Sequence, residues 1–271
     1  MTRSFLHPMT ALFLLAVIVS VPANGATICT IVLDANTGER LIDEGACETR
    51  QSPASTFKIA ISLMGYDAGI LQTPEQPEWP FEEGYIDWRK AWRAPANPTR
   101  WMRESVVWYS QQVTLRLGAE RYAKYVDCFS YGNRDVSGGP GNGNGLTEAW
   151  LSSSLRISPL EQVGFLRKLV RRELPVSDGA VRNTATLLKH EPQPGGWLVF
   201  GKTGTGLPRD KADRLLRGKP FGWFVGWAEH SDGSVVFARL IQEAKRPLRP
   251  AGLLARDGLL DDLFGPDGHL N

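Results

Sequence analysis

Apolar positions along this chain fall into β-type runs at both ends and helical repeats between them. Positions 28–33 read as a strand, 34–38 (DANTG) as a turn and 39–43 as the return strand of a hairpin. Over 53–71, Phe57, Ala60, Ile61, Met64 and Ala68 recur with the period of a buried helix face, and Pro53 suits the first turn. A loop rich in Pro and Trp fills 72–100. Helical patterns return over 102–117 and 120–128, then over 158–172 and 177–188, separated by a Gly-rich loop at 132–145. Three strands follow at 196–202, 221–229 and 234–242, the last two joined by Ser231-Asp232-Gly233. A helix over 250–263 closes the chain. Strands at both ends and helices between predict an α+β fold. In it, the N- and C-terminal strands share one antiparallel sheet flanked by helices, and the central helices form a separate lobe.

Ahead of the first strand, positions 10–21 (TALFLLAVIVSV) form an apolar run of 12 residues, behind Arg3 and before the small residues Ala23-Asn24-Gly25-Ala26. A membrane span needs about 20 apolar residues, so this layout reads as a secretory signal over 1–26. Cleavage is expected after Gly25 or Ala26, leaving one domain over 27–271 with no membrane attachment and a periplasmic location across the inner membrane. Export permits a disulfide. The hairpin brings Cys29 and Cys47 near each other, which fits a bridge or two separate thiols. Cys128 is expected to be a buried small side chain.

Composition narrows the classes of function. The 271 residues are 42% hydrophobic and 22% charged, an ordinary globular balance. Lys plus Arg number 31 against 29 Asp plus Glu, too even for a nucleic-acid groove. Three cysteines cannot staple a fold, so a packed core must hold it. His190, His230 and His269 stand far apart with no ligand spacing, so no metal centre is expected. The loop 138–145 lacks the Gly-Lys-Ser/Thr ending of a phosphate cradle. Monomer and homodimer both remain open.

The sharpest chemical signal is Ser55-Thr56-Phe57-Lys58. On a helix, i and i+3 share a face, which sets the Lys58 amine beside the Ser55 hydroxyl. Serine is a weak nucleophile and needs a base. Lys58 sits in an apolar stretch, and burial favours the neutral amine. Further signals are Ser105-Val106-Val107, Tyr131-Gly132-Asn133, the run 150–159 (WLSSSLRISP), Gly201-Lys202-Thr203-Gly204 and 221–227 (FGWFVGW).

Together, in this order, these motifs resemble the class D serine β-lactamases, over essentially the whole expected mature chain. The resemblance implies hydrolysis of the β-lactam ring of penicillin-type antibiotics through an acyl-serine. It implies Ser55 as nucleophile, and Lys58 as an N-carboxylysine formed with CO2 that serves as general base. Trp150 would hold that carbamate, Ser105 would relay a proton to the leaving nitrogen, and Val107 would help wall the site. Tyr131, Asn133, Lys202, Thr203, Gly204 and Thr205 are expected on the substrate side, with the N–H groups of Ser55 and Thr205 as the oxyanion hole. Arg249 is the expected carboxylate-binding arginine, with Arg246 and Arg256 as rivals. Trp101 and Met102 fit either the mouth or the core, and substrate range is expected to depend on loops around Trp101, Leu155 and Leu207. No cofactor beyond CO2 is implied. Two related readings stay open: a covalent penicillin-sensing receptor domain, and a penicillin-binding transpeptidase with slow deacylation.

Overall fold

The computed structural model describes residues 25–270 except 140, 142, 211 and 213. The expected signal segment lies outside the described residues but for Gly25 and Ala26. In chain order the main elements are β1 (Ala26–Asp34), β2 (Arg40–Gly45), α1 (Lys58–Asp67), α2 (Pro98–Glu104), α3 (Val107–Leu117), α4 (Ala119–Cys128), α5 (Gly145–Glu148), α6 (Pro159–Val170), α7 (Asp178–Leu188), β3 (Leu198–Gly206), β4 (Phe221–His230), β5 (Gly233–Gln242) and α8 (Ala251–Phe264).

The strands form one antiparallel sheet in the order β2-β1-β5-β4-β3. N- and C-terminal strands therefore interleave, as the segregated pattern predicts. Successive side chains in a strand point to opposite faces. Phe224, Ala228, Val235, Phe237 and Ile241 meet Ala255, Leu259 and Leu263 of α8 on one face. Trp223, Val225, Trp227, Val236, Ala238 and Leu240 join the larger core shared with the helices on the other. β4 and β5 are thus apolar on both sides, which is why they read as continuous hydrophobic runs.

The N-terminus of α8 comes very close to the sheet. A Cβ at Gly222 would lie 2.2 Å from the Ala251 carbonyl oxygen, and one at Gly252 would lie 2.5 Å from that of Gly204. Only glycine fits these two approaches, and they set α8 against β3.

Several elements differ from their sequence patterns. The predicted helix over 53–71 begins as a 3-10 turn, Ala54–Phe57, and ends at Asp67. The predicted helix over 102–117 is two helices. Asn97 caps α2 by accepting from the Arg100 N–H at 2.9 Å, and Ser105 breaks the run with φ 56° and ψ 37°. A left-handed non-glycine residue leaves no trace in apolar periodicity. Cys29 and Cys47 are bridged, with Cα atoms 5.0 Å apart. Cys128 is not the buried side chain expected of it: it lies exposed at the end of α4.

Candidate active site

Ser55 sits in the 3-10 turn that leads into α1, and Lys58 is the first residue of that helix. Ser55 is half-buried, while Lys58 is fully buried. Ala54, just before the serine, has φ 47°, a left-handed conformation that costs a non-glycine residue about 1–2 kcal/mol. Two clips hold this strained turn. The Ser52 hydroxyl donates to the Trp150 carbonyl at 2.8 Å and accepts from the Ser152 N–H at 3.0 Å. The Ser52 carbonyl accepts from Trp223 Nε1 at 2.9 Å. The turn is thereby tied both to the 150–152 loop and to β4. Sequence reading passed over Ser52, since a serine three residues before a nucleophile carries no signal of its own.

The S-x-x-K spacing predicts a direct meeting of the two side chains. The structure instead leaves Lys58 Nζ without a hydrogen-bond partner. Trp150 Nε1 is likewise buried and unpartnered. The Phe57 and Trp150 rings lie 5.7 Å apart, and Val107 and Leu155 are also buried in this core. Burial pushes the Lys58 pKa well below the ordinary lysine range, and the charges of Lys202 and Arg89 push it the same way. Such orphans are unusual, because buried polar groups are nearly always hydrogen-bonded; among the described residues the Tyr122 and Tyr131 hydroxyls, whose rings also pack on Phe57, share this state.

Ser105 stands between α2 and α3, where its left-handed backbone turns the hydroxyl toward β3. Lys202 Nζ donates to Ser105 Oγ at 2.6 Å and to the Thr203 carbonyl at 3.0 Å. Burial lowers the Lys202 pKa to about 7, with the charges of Arg89 and Arg256 adding to the effect. β3 lies close to the nucleophile turn: a Cβ at Gly204 would sit 3.1 Å from both the Pro53 carbonyl oxygen and the Thr56 side chain. Thr205, at the exposed end of β3, accepts from the Gly252 N–H at 2.9 Å. Ser55, Lys58, Ser105, Val107, Trp150 and Lys202–Thr205 therefore converge from four separate stretches of chain.

Other expected site residues are elsewhere. Tyr131 does not face the cleft: it is fully buried, with its ring 5.0 Å from Phe57 and 5.2 Å from Phe165. The Asn133 side chain is committed to the 154–156 loop, donating to the Ser154 carbonyl and accepting from the Arg156 N–H, both at 2.9 Å. Gly132 between them has φ 53°, and a Cβ there would lie 2.0 Å from the Arg156 carbonyl oxygen. The Tyr-Gly-Asn motif is thus a clasp that positions the loop carrying Trp150, not a pair of substrate contacts. Trp101 is core, with its indole N–H donating to Ser110 Oγ at 2.8 Å. Arg249 and Arg256 both pair with Asp257, and it is the Arg256 charge that reaches Lys202. Among the described residues no group of His, Cys, Asp and Glu side chains could hold a metal ion.

Similarity to known proteins follows this geometry. Residues 28–264 match the family described as the penicillin-binding protein transpeptidase domain. The chain is 44% identical over 236 residues to Beta-lactamase OXA-9 of Klebsiella pneumoniae, covering 87% of this chain and 86% of the relative. It superposes on the crystal structure of the OXA-427 class D β-lactamase with a TM-score of 0.83 and 45% identity, over 88% of this chain and 97% of that one. It also resembles the C-terminal domain of the Bacillus licheniformis BlaR penicillin receptor, with a TM-score of 0.74 and 27% identity over 87% and 88% of the two chains. A serine on a strained turn, a buried lysine three residues on and a lysine-bearing strand close to that turn, in a chain this similar, place the protein in the class D β-lactamase family, whose members hydrolyse β-lactams through an acyl-serine.

Proposed function

We propose that Ser55 is the acylated nucleophile and that Lys58 works as an N-carboxylysine. The observation that carries this reading is the pair of buried donors without acceptors, Lys58 Nζ and Trp150 Nε1. CO2 reacts only with a neutral amine, and burial keeps Lys58 in that form. The bound carboxylate would supply a base and an acceptor for the Trp150 N–H. Val107 and Leu155 keep that region dry.

The remaining roles follow from position. Ser105, bonded to Lys202, passes a proton to the β-lactam nitrogen as the ring opens. The backbone N–H groups of Ser55 and Thr205 face the oxygen that becomes negative when Ser55 attacks. Lys202, Thr203 and Arg256, the rival to Arg249 whose charge reaches Lys202, take the ring carboxylate. Export through the 1–26 segment would bring the enzyme to the periplasm, where its Cys29–Cys47 bridge is stable. Among the described residues no helix is long and apolar enough to cross a membrane.

Protein equilibrated with carbon-13 bicarbonate should give a carbamate carbon resonance that is lost in Lys58→Ala. Turnover depressed at mildly acidic pH should recover with bicarbonate in the wild type and not in that variant. No labelled resonance in active enzyme would refute the carboxylated lysine. A second reading, a covalent sensor with a long-lived adduct, draws on the likeness to the BlaR domain. Acyl-enzyme lifetime separates the two.

A further inference from the structure

We propose that Arg89 and Trp88 form a second anion-recognition point in the cleft, selecting β-lactams whose acyl side chain carries a carboxylate next to an aryl ring. The proposal rests on the cleft around Ser55 being the β-lactam site.

Trp92 fixes the place. Its indole N–H donates to the Glu104 carbonyl at 3.2 Å, directly before Ser105. Its own carbonyl accepts from Trp108 Nε1 at 3.0 Å, three residues after Ser105. The short 3-10 turn Lys90–Trp92 is thus fastened on both sides of the serine that bonds Lys202. The Arg89 guanidinium lies over the Trp92 ring, 5.7 Å from its centroid. The Trp88 ring lies 6.3 Å from Trp92 and is 67% exposed.

Arg89 stands out among its neighbours. Arg93, Arg100 and Arg103 each hold a carboxylate, whereas Arg89 pairs with none among the described residues. It is stacked on Trp92 beside the Ser105 segment, and its positive charge also lowers the pKa values of Lys58 and Lys202, within electrostatic reach of both amines. A guanidinium fork suits a carboxylate, and an open indole face suits an aromatic ring. The ring carboxylate common to all β-lactams has its partners on β3 and at α8. Arg89 comes from the helical lobe, so an anion held there is a second one, on the substrate's side chain.

The test compares benzylpenicillin with its α-carboxy analogue in wild type, Arg89→Gln and Arg89→Lys. The ratio of kcat/KM for the two substrates should shift roughly fivefold against the dianion in Arg89→Gln, as for a partly exposed ion pair. Arg89→Lys should recover part of it, and high salt should shrink the wild-type preference. A ratio that stays constant, whether both rates fall together or neither moves, would overturn the proposal. Equal losses would assign Arg89 to the ring carboxylate or to support of the Ser105 turn. A wild type that neither hydrolyses nor is acylated by benzylpenicillin would overturn the cleft assignment itself, and this proposal with it.

Discussion

Lys202 shows how one side chain couples stability to chemistry. Burial brings its pKa from the ordinary 10.5 to about 7, while Ser105 and the Thr203 carbonyl accept its protons. Below that value folded and unfolded chains both bind the proton, and the folded state bears the full penalty of a buried charge. Above it the unfolded chain still binds the proton and the folded chain does not. Stability should therefore rise from about pH 7 to about pH 10.5, and Lys202→Met should flatten that rise in denaturant titrations. The same proton matters for turnover. The acid limb of kcat/KM should belong to Lys58, which must be neutral to take up CO2, and the alkaline limb to Lys202. Bicarbonate should move the first limb and leave the second in place. Ser55 and Lys58 were legible because the S-x-x-K spacing carries chemistry, whereas Ser105 and Lys202 were singled out only through the resemblance of the ordered motifs to a family. Ser52 was not, because its contacts run to Trp150, Ser152 and Trp223. Those contacts exist only once the chain has folded.

Among elements, the contact between α8 and β3 governs the open end of the site. Gly222 and Gly252 let the helix start against the strand, and the Gly252 N–H fixes the Thr205 hydroxyl at 2.9 Å. Gly222→Ala would drive a methyl group into the Ala251 carbonyl. It should lower stability by about 1–3 kcal/mol and reduce kcat/KM by displacing Thr205, with both read in one purified variant. A drop in melting temperature with unchanged kcat/KM would separate helix docking from the site. β4 and β5 were readable as strands from their continuous apolar runs, while α1 is buried all round from Lys58 to Tyr66 and not only on the one face its apolar spacing suggests. The breaks were not readable. Ala54 and Ser105 adopt left-handed backbone without being glycine, and tertiary contacts impose that conformation. The Tyr-Gly-Asn motif misled for a similar reason. A polar motif near a site suggests substrate, but Asn133 closes on the 154–156 loop instead.

At the scale of the whole molecule, interleaving of the chain ends explains how four distant stretches meet at one cleft. β1 pairs with β5, so the first and last strands lock the sheet while the helical lobe supplies Ser105 and Trp150. The Cys29–Cys47 bridge fastens β1 to the segment that follows β2, across a sequence separation of 18. Replacing both with serine should cost about 2–4 kcal/mol in chemical denaturation and leave kcat nearly unchanged, because the bridge lies at the far edge of the sheet from β3. The α+β class followed from the segregation of strands and helices, whereas the strand order could not be read from periodicity.

The central claim is that Ser55 is acylated and then freed. Intact-mass time courses after mixing the enzyme with equimolar benzylpenicillin address it directly. The account predicts a penicilloyl adduct on Ser55 that forms and clears within seconds, persists in Lys58→Ala and is absent in Ser55→Ala. An adduct that persists for many minutes in the bicarbonate-saturated wild type, or one that forms on the Ser55→Ala chain, would contradict it.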